Sequence, residues 1–138
     1  MSELLPPDSD LRRSERLDTH LNALVINSWQ EQCAALVTNI TREGIRLEGR
    51  RELVDIIFPN FNAARPALRH TINLRLALEE GVKVTDLNGI DIRCNSVYVV
   101  RERQDWFQLG LSYCEIDNAT AVRLEAFINE LEQSQVTL

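Results

Sequence analysis

The sequence has little of the residues from which metal sites and catalytic centres are built. Its only histidines are His20 and His70, and neither has a partner at the spacing of a metal ligand or of a catalytic triad. The three cysteines, Cys33, Cys94 and Cys114, lie far apart without a Cys-x-x-Cys pair, which argues against a disulfide framework and against a zinc site. We therefore predict that the chain is not an enzyme and carries no metal or cofactor, and that its thiols are buried as small hydrophobic groups.

Long apolar runs are also missing. No stretch approaches the roughly 18 apolar residues that a membrane-spanning helix needs. Residues 1–8 are acidic, are interrupted by Pro6 and Pro7, and lack the apolar run of a signal peptide. From these two absences we expect a cytoplasmic protein with no membrane span.

The net charge of the chain argues against long nucleic acids as partners. The 138 residues are 44% hydrophobic and 26% charged, which is typical of one soluble globular domain. Acidic residues outnumber basic ones by 21 to 15, and the net charge of −6 disfavours binding of long DNA or RNA, in which phosphate contacts dominate. A small anionic ligand remains compatible with the sequence where basic residues gather, as Arg12, Arg13 and Arg16 do.

Alternation of apolar and polar residues dominates the middle of the chain and predicts β-strands. It is clearest at residues 72–78 and 107–113, and it slips near Val97, where we expect a β-bulge. Less regular strand patterns cover residues 19–27, 33–41 and 45–47. Arg50 to Phe58 is compatible with either a short helix or a strand, and residues 101–105 are expected to form a polar connection.

The period of the pattern changes near the C-terminus. The i, i+3, i+4 and i+7 positions of one helical face are occupied by Leu124, Phe127, Ile128 and Leu131. Asp117 or Asn118 is a suitable N-cap for this helix. Six strands with one terminal helix predict a small antiparallel β-barrel or a curled sheet. We interpret residues 1–11 as a flexible N-terminal arm and residues 12–134 as a single domain.

Two arginines stand four residues apart just before the first predicted strand, in Arg12-Arg13-Ser14-Glu15-Arg16. Arginine stays charged, presents a rigid fork of N–H donors and stacks on purine faces, so the pair suits both phosphate and guanine. Taken alone, the segment carries little information, and a solvated basic tail is the simpler interpretation.

A second polar motif is Asn39-Ile40-Thr41-Arg42-Glu43-Gly44. If it lies in a strand, Asn39 and Thr41 share one face at a separation of roughly 6–7 Å, close enough to read one base edge together. Both side chains carry a donor and an acceptor, and Gly44 allows a tight turn and the close approach of a flat ligand. The alternative interpretation is a strand that ends in an ordinary polar turn.

The two motifs together are more specific than either alone. Arg-x-x-x-Arg, followed 23 positions after Arg16 by Asn-x-Thr-x-x-Gly, resembles the pattern of the PilZ domain family. The resemblance extends through the strand pattern at 107–113 and the terminal helix. It implies a six-stranded antiparallel barrel with a C-terminal α-helix, whose outer surface binds the second messenger cyclic di-GMP. Two departures stand out: Thr41 replaces the family's serine, and residues 50–70 form a longer connection than a minimal PilZ domain needs.

The resemblance also implies roles for particular residues. Arg12 and Arg16 would hold phosphate and guanine, with Arg13 within reach of a phosphate, while Asn39, Thr41 and Gly44 would read the other guanine edges. Tyr98 falls on the strand where some family members stack a ring on guanine, and core or surface packing is the alternative for it.

These roles imply a bacterial signalling receptor that binds cyclic di-GMP and regulates an unidentified downstream protein in motility, adhesion or exopolysaccharide control. The alternatives are a PilZ-like protein-interaction module that binds no nucleotide and, third, a flavin-dependent enzyme on a small barrel.

Overall fold

The structure is a computed structural model that describes residues 17–58 and 71–136. Arg12, Arg13 and Arg16 lie outside the described residues, and so does the predicted arm at residues 1–11. Their assignments, and the division of the chain at residue 12, therefore stay predictions.

The described residues form six strands and two helices. The strands are β1 (Leu17–Ile26), β2 (Gln32–Ile40), β3 (Gly44–Gly49), β4 (Thr71–Ala77), β5 (Gly89–Arg103) and β6 (Trp106–Glu115). The helices are α1 (Arg51–Ile57), between β3 and β4, and α2 (Asn118–Val136), after β6. The strands close into a barrel in the order β1, β2, β3, β6, β5, β4, and every neighbouring pair is antiparallel. The predicted six-stranded barrel with a C-terminal helix is confirmed.

The barrel closes around a core of aliphatic side chains because apolar residues alternate along its strands. In β4, Ile72, Leu74 and Leu76 are buried while the residues between them are partly exposed. Side chains with no exposed surface come from several other strands, namely Leu21, Val25, Val37, Leu47, Ile92 and Leu109. Because burying one such side chain contributes about 1.5–3 kcal/mol, this interior is the main source of the fold's stability.

Strand β5 shows both the expected bulge and an unexpected length. Its pairing with β6 shifts register between Ser96 and Tyr98, which confirms the bulge predicted near Val97. The prediction of a polar connection from Arg101 to Asp105 was wrong in extent, because β5 continues to Arg103. There Arg103 pairs with Trp106 of β6, and its guanidinium lies 5.2 Å from the centre of the Trp106 ring, which is a cation–π contact between the two strands.

The two helices begin at opposite ends of the barrel. Helix α1 starts where β3 ends and buries Leu53, Val54 and Ile57, which shows that this part of the 50–58 stretch is helical rather than extended. Helix α2 starts where β6 ends, and the carboxylate of Asp117 caps it by accepting a hydrogen bond from the N–H of Thr120 at 2.8 Å.

Helix α2 buries Leu124 and Ile128 against the barrel, with Phe127 and Leu131 partly buried beside them, so the predicted amphipathic face is confirmed. No helix in the described ranges is long and apolar enough to cross a membrane.

The cysteines differ in exposure, and the prediction that all three are buried was wrong. Cys94 is buried, Cys33 is partly buried and Cys114 is exposed. Cys114 lies where the β5–β6 pairing shifts register, opposite Arg93 and Cys94, and this irregularity leaves its side chain on the surface. Within the part of the chain that the structure describes, no three His, Cys, Asp or Glu side chains are grouped so as to hold a metal ion.

Candidate functional site

Asn39 lies near the end of β2, between β1 and β3. Its side chain is only 4% exposed, and its amide nitrogen donates hydrogen bonds to Asp18 Oδ1 at 2.6 Å and to the backbone oxygen of Thr38 at 2.7 Å. Both N–H groups are therefore engaged inside the protein. Its amide oxygen accepts no hydrogen bond from the described residues, so this oxygen is the atom of Asn39 left for a ligand.

Thr41 lies one residue beyond the end of β2, in the turn formed by residues 41–43, and not within the strand as expected. Its hydroxyl oxygen accepts hydrogen bonds from the N–H groups of Glu43 and Gly44, both at 2.9 Å. This is the local side-chain-to-backbone bonding by which threonine builds turns. The hydroxyl therefore shapes the 41–43 turn, and Thr41 does not form a strand-face pair with Asn39.

Gly44 begins β3 and pairs with Ser112 of β6. A Cβ atom at position 44 would overlap the backbone carbonyl oxygen of Leu111. The residue must therefore be glycine because the β6 backbone comes too close for any side chain. This close approach also fixes the 41–43 turn against β6.

Tyr113 of β6 holds the same turn through two hydrogen bonds. Its hydroxyl donates a hydrogen bond to the backbone oxygen of Thr41 at 2.9 Å, and its N–H donates to the backbone oxygen of Glu43 at 3.0 Å. Burial raises the pKa of the Tyr113 hydroxyl above its ordinary value, so this group stays protonated and remains a donor. The alternation of residues 107–113 located Tyr113 in a strand but gave no sign of this contact.

Four positions align across neighbouring strands beside this turn. Asn39 pairs with Arg46 of β3, Arg46 pairs with Gly110 of β6, and Gly110 pairs with Tyr98 of β5. We call Asn39, Arg46, Gly110 and Tyr98 the outer row. With about 4.8 Å between strands, the outer row spans roughly 14 Å across the barrel.

The outer row lies on the outside of the barrel because its neighbours point inward. Leu47, Leu109 and Leu111 flank the row positions of β3 and β6 and are buried in the core. Tyr98 is partly buried, and its ring lies against Gly110, where a Cβ atom would overlap three ring atoms. The bare backbone of Gly110 therefore provides the space in which the Tyr98 ring sits.

Arg46 is the cationic member of the outer row, and the sequence reasoning missed it. Its Nε donates to Thr38 Oγ1 at 3.1 Å and lies 4.0 Å from Glu48 Oε2. Its two terminal nitrogens donate to no other group in the described ranges. The side chain is 25% exposed, so these nitrogens are available to an anion on the outer surface. The spacing of Arg46 two residues after Gly44 would have placed both on one face of β3.

Glu48 lies beside Arg46 and is itself held by two hydrogen bonds. One carboxylate oxygen of Glu48 accepts a hydrogen bond from Trp106 Nε1 at 2.8 Å, and the other accepts one from Thr38 Oγ1 at 3.2 Å. The side chain of Glu48 is only 17% exposed. Because both oxygens are engaged, the carboxylate is held in place beside Arg46.

The structure thus brings Asn39, Thr41 and Gly44 together at one end of the barrel. Tyr98 lies at the far end of the outer row from Asn39, three strands away. Arg12, Arg13 and Arg16 precede β1, whose first residue, Leu17, pairs with Ile40 next to Asn39.

No protein-family model and no curated protein matches this sequence. Several solved structures match its fold. The inhibitor of motility MotI/DgrA of Bacillus subtilis has a TM-score of 0.60 at 15% identity, with 91% of this chain and 52% of that chain covered. The complex of K. pneumoniae MrkH with c-di-GMP has a TM-score of 0.64 at 12% identity, with 91% of this chain and 54% of that chain covered.

MrkH in its apo state gives a TM-score of 0.61 at 14% identity, covering 99% of this chain and 55% of that chain. The chain therefore spans about half the length of the solved proteins it matches. At these identities the likeness concerns the fold, and it shows that this chain folds as a PilZ-like barrel.

Proposed function

We propose that this chain is a receptor module that binds cyclic di-GMP on the outer row and the adjoining 41–43 turn. The observation that carries the proposal is the alignment of Asn39, Arg46 and Tyr98 on one outer surface. Asn39 lies one strand spacing from Arg46, and Tyr98 lies one strand spacing from Gly110 on the other side of the Arg46–Gly110 pair. A hydrogen-bonding amide, a guanidinium and an aromatic ring are the groups that recognise a guanine base and its phosphate.

Each member of the site matches one part of the ligand. The amide oxygen of Asn39 suits the N–H donors of a guanine edge, and the Tyr98 ring offers a stacking surface for a base. The terminal nitrogens of Arg46 suit a phosphate or the acceptor edge of guanine. Arg12, Arg13 and Arg16 are proposed to hold the remaining phosphate and guanine, as the resemblance implies.

The solved structures with this fold support the choice of ligand. One of the matching structures is the complex of MrkH with c-di-GMP, and another is Borreliella burgdorferi PlzA in complex with c-di-GMP, with a TM-score of 0.50 at 7% identity. We propose by extension that this chain acts as a cytoplasmic receptor and not as an enzyme, and that ligand binding changes a surface that regulates a partner protein.

The second candidate function is a PilZ-like protein-interaction module that binds no nucleotide. One observation favours it: Asn39 is 4% exposed, and its two N–H groups are engaged within the protein. A ligand that hydrogen-bonds to Asn39 must therefore reach the amide oxygen of a side chain that is almost fully buried.

Isothermal titration calorimetry separates the two functions. We expect cyclic di-GMP to bind with a Kd near micromolar, about −8 kcal/mol. GTP and cyclic di-AMP serve as controls, because the first lacks the ring closed by two phosphodiester groups and the second lacks the guanine donor edge. The absence of heat up to roughly a millimolar cyclic di-GMP would leave the interaction module as the function, since binding would then be weaker than about −4 kcal/mol.

A further inference from the structure

Arg42 reaches out of the 41–43 turn and contacts helix α2. Its Nε donates to Glu125 at 3.0 and 3.1 Å, and its Nη1 and Nη2 donate to the two carboxylate oxygens of Glu132 at 2.9 and 3.2 Å. Nη2 also donates to Asn129 Oδ1 at 2.8 Å. The guanidinium is therefore held by three side chains that lie 83 to 90 positions away in the sequence.

The three partners form one stripe along α2. Glu125, Asn129 and Glu132 are spaced i, i+4 and i+7, so they lie on the same side of the helix. Leu124 and Ile128 lie next to this stripe and pack into the barrel core. Helix α2 is thus held on the barrel by an apolar face and, along its edge, by Arg42.

The geometry of this contact is that of a network and not of an isolated surface ion pair. Arg42 and Glu132 form two parallel hydrogen bonds, and the side chain of Arg42 is 34% exposed. Hydrogen bonding to Glu132, and next to Glu125, raises the pKa of Arg42 above its ordinary value, and the same bond to Arg42 lowers the pKa of Glu132. Isolated exposed pairs contribute little, whereas a bidentate pair within a network has the geometry to hold a segment in place.

The other end of this contact lies in the proposed ligand site. Arg42 is the residue between Thr41, whose hydroxyl shapes the turn, and Glu43, whose N–H and backbone oxygen are both hydrogen-bonded. Only residues 41–43 separate β2 from β3. If Arg42 moves, Thr41 and Glu43 must therefore move with it, because a turn of three residues is too short to absorb the displacement.

We propose that Arg42 is a positioning residue that couples the 41–43 turn to helix α2, so that the rigidity of the turn depends on whether the helix is docked on the barrel. The inference about the ligand rests on the proposed function. Docking of α2 through Arg42 favours cyclic di-GMP binding, and bound cyclic di-GMP in turn stabilises the docked position of α2. The two effects are equal in free energy, since coupling between two sites is reciprocal. Helix α2 is then the element that carries the bound state to a partner protein.

The coupling is tested first without ligand, by hydrogen exchange of backbone amides. Glu132→Gln removes the charge that pairs with Arg42, whereas Glu130→Gln removes the same charge from an exposed position of the same helix that makes no contact with Arg42. We expect the amides of Glu43 and Gly44 to exchange about two- to fivefold faster in Glu132→Gln than in Glu130→Gln, which is the effect of losing one exposed ion pair. Equal rates in the two variants would overturn the coupling.

The effect on the ligand is tested by calorimetry on the same variants. Glu132→Gln should weaken cyclic di-GMP binding about two- to fivefold, and Glu130→Gln should leave it unchanged, with both titrations run well below the unfolding temperature of each variant. If Arg42 acts through Glu132, the double variant Arg42→Gln/Glu132→Gln should bind no more weakly than Arg42→Gln alone. Additive losses would instead mean that Arg42 touches the ligand itself, and would overturn its role as a positioning residue.

A third measurement separates this inference from the proposed function. In the wild-type protein, cyclic di-GMP should slow the exchange of α2 amides, and unchanged exchange at saturating ligand would overturn the link between ligand and helix. If the wild type binds no cyclic di-GMP, the proposed function and the ligand half of the inference both fail. The ligand-free comparison of Glu132→Gln with Glu130→Gln then still decides whether Arg42 couples the turn to the helix.

Discussion

The ring of Tyr98 on β5 lies directly against the backbone of Gly110 on β6. A Cβ atom at position 110 would overlap the Cδ2, Cε2 and Cζ atoms of the ring. The glycine is therefore the reason that an aromatic ring can lie on the barrel surface next to the position of Arg46. Under the proposed function, a ring that already packs against Gly110 would lose less entropy when a base stacks on it.

The first prediction follows from this contact. Gly110→Ala should push the Tyr98 ring away from the barrel, which costs about 1–3 kcal/mol of stability as an overpacking change. Because base stacking on an aromatic ring contributes about 1–3 kcal/mol, cyclic di-GMP binding should weaken roughly five- to a hundredfold. Calorimetry would measure this, with Tyr98→Phe as the control that keeps the ring. Normal binding by Tyr98→Ala would show that the ring does not stack on the ligand.

The second prediction concerns Arg46, which the structure places in the outer row. Arg46→Gln keeps a side chain of similar shape but removes the charge, and a lost charge-assisted hydrogen bond costs about 1.5–3 kcal/mol. Binding of cyclic di-GMP should fall roughly ten- to a hundredfold, with a weaker dependence on salt. Arg123→Gln, which removes the same charge from an exposed position on α2, should bind normally. A titration in which both variants bind equally well would remove Arg46 from the site.

The third prediction concerns the arginines that precede β1. Arg12→Ala or Arg16→Ala should each weaken binding roughly ten- to a hundredfold, by the loss of one charge-assisted contact of about 1.5–3 kcal/mol. The unfolding temperature without ligand should stay the same, because the predicted contacts are to the ligand. Arg123→Ala again serves as the charge-matched control. A variant that binds normally, or that unfolds more easily, would show that its arginine has a different role.

The fourth prediction tests the turn-building role of Thr41. Thr41→Ser keeps the hydroxyl that accepts from the N–H groups of Glu43 and Gly44, and removes the methyl group, so affinity should be equal or tighter. Thr41→Val has nearly the same shape but no such acceptor, and the loss of an ordinary hydrogen bond costs about 0.5–1.5 kcal/mol. It should therefore weaken binding and lower the unfolding temperature. The idea fails if Thr41→Ser abolishes binding while the protein stays folded.

The fifth prediction uses the cysteines. Burial raises the pKa of Cys94 from 9.0 to about 12, so its thiol stays neutral at pH 8, whereas Cys114 is exposed. Alkylation of the native protein at this pH should label Cys114 first and Cys94 only after unfolding. Mass spectrometry of the labelled peptides would give the order. Because the folded state holds the proton of Cys94 more tightly, this residue should also lower stability as the pH rises from 9 towards 12.

The sequence by itself determined most of the fold and the position of one motif. Alternation along residues 72–78 and 107–113 needs only the two-residue period of a strand, and the apolar face of α2 needs only the helical period. These periods are local properties of the chain, so they can be recognised without knowing what the elements pack against. The spacing of Asn39, Thr41 and Gly44 was likewise visible in the sequence.

Only the tertiary structure decided what these residues do within the protein. Asp18, 21 positions before Asn39 in the chain, engages one of its N–H groups, and the Gly44 position is dictated by the carbonyl of Leu111. Arg42 meets Glu132 across 90 positions because the closed barrel brings α2 back to the 41–43 turn. Such contacts depend on strand register and on barrel closure, which join distant segments, and no local pattern of residues encodes which distant partner each side chain will meet.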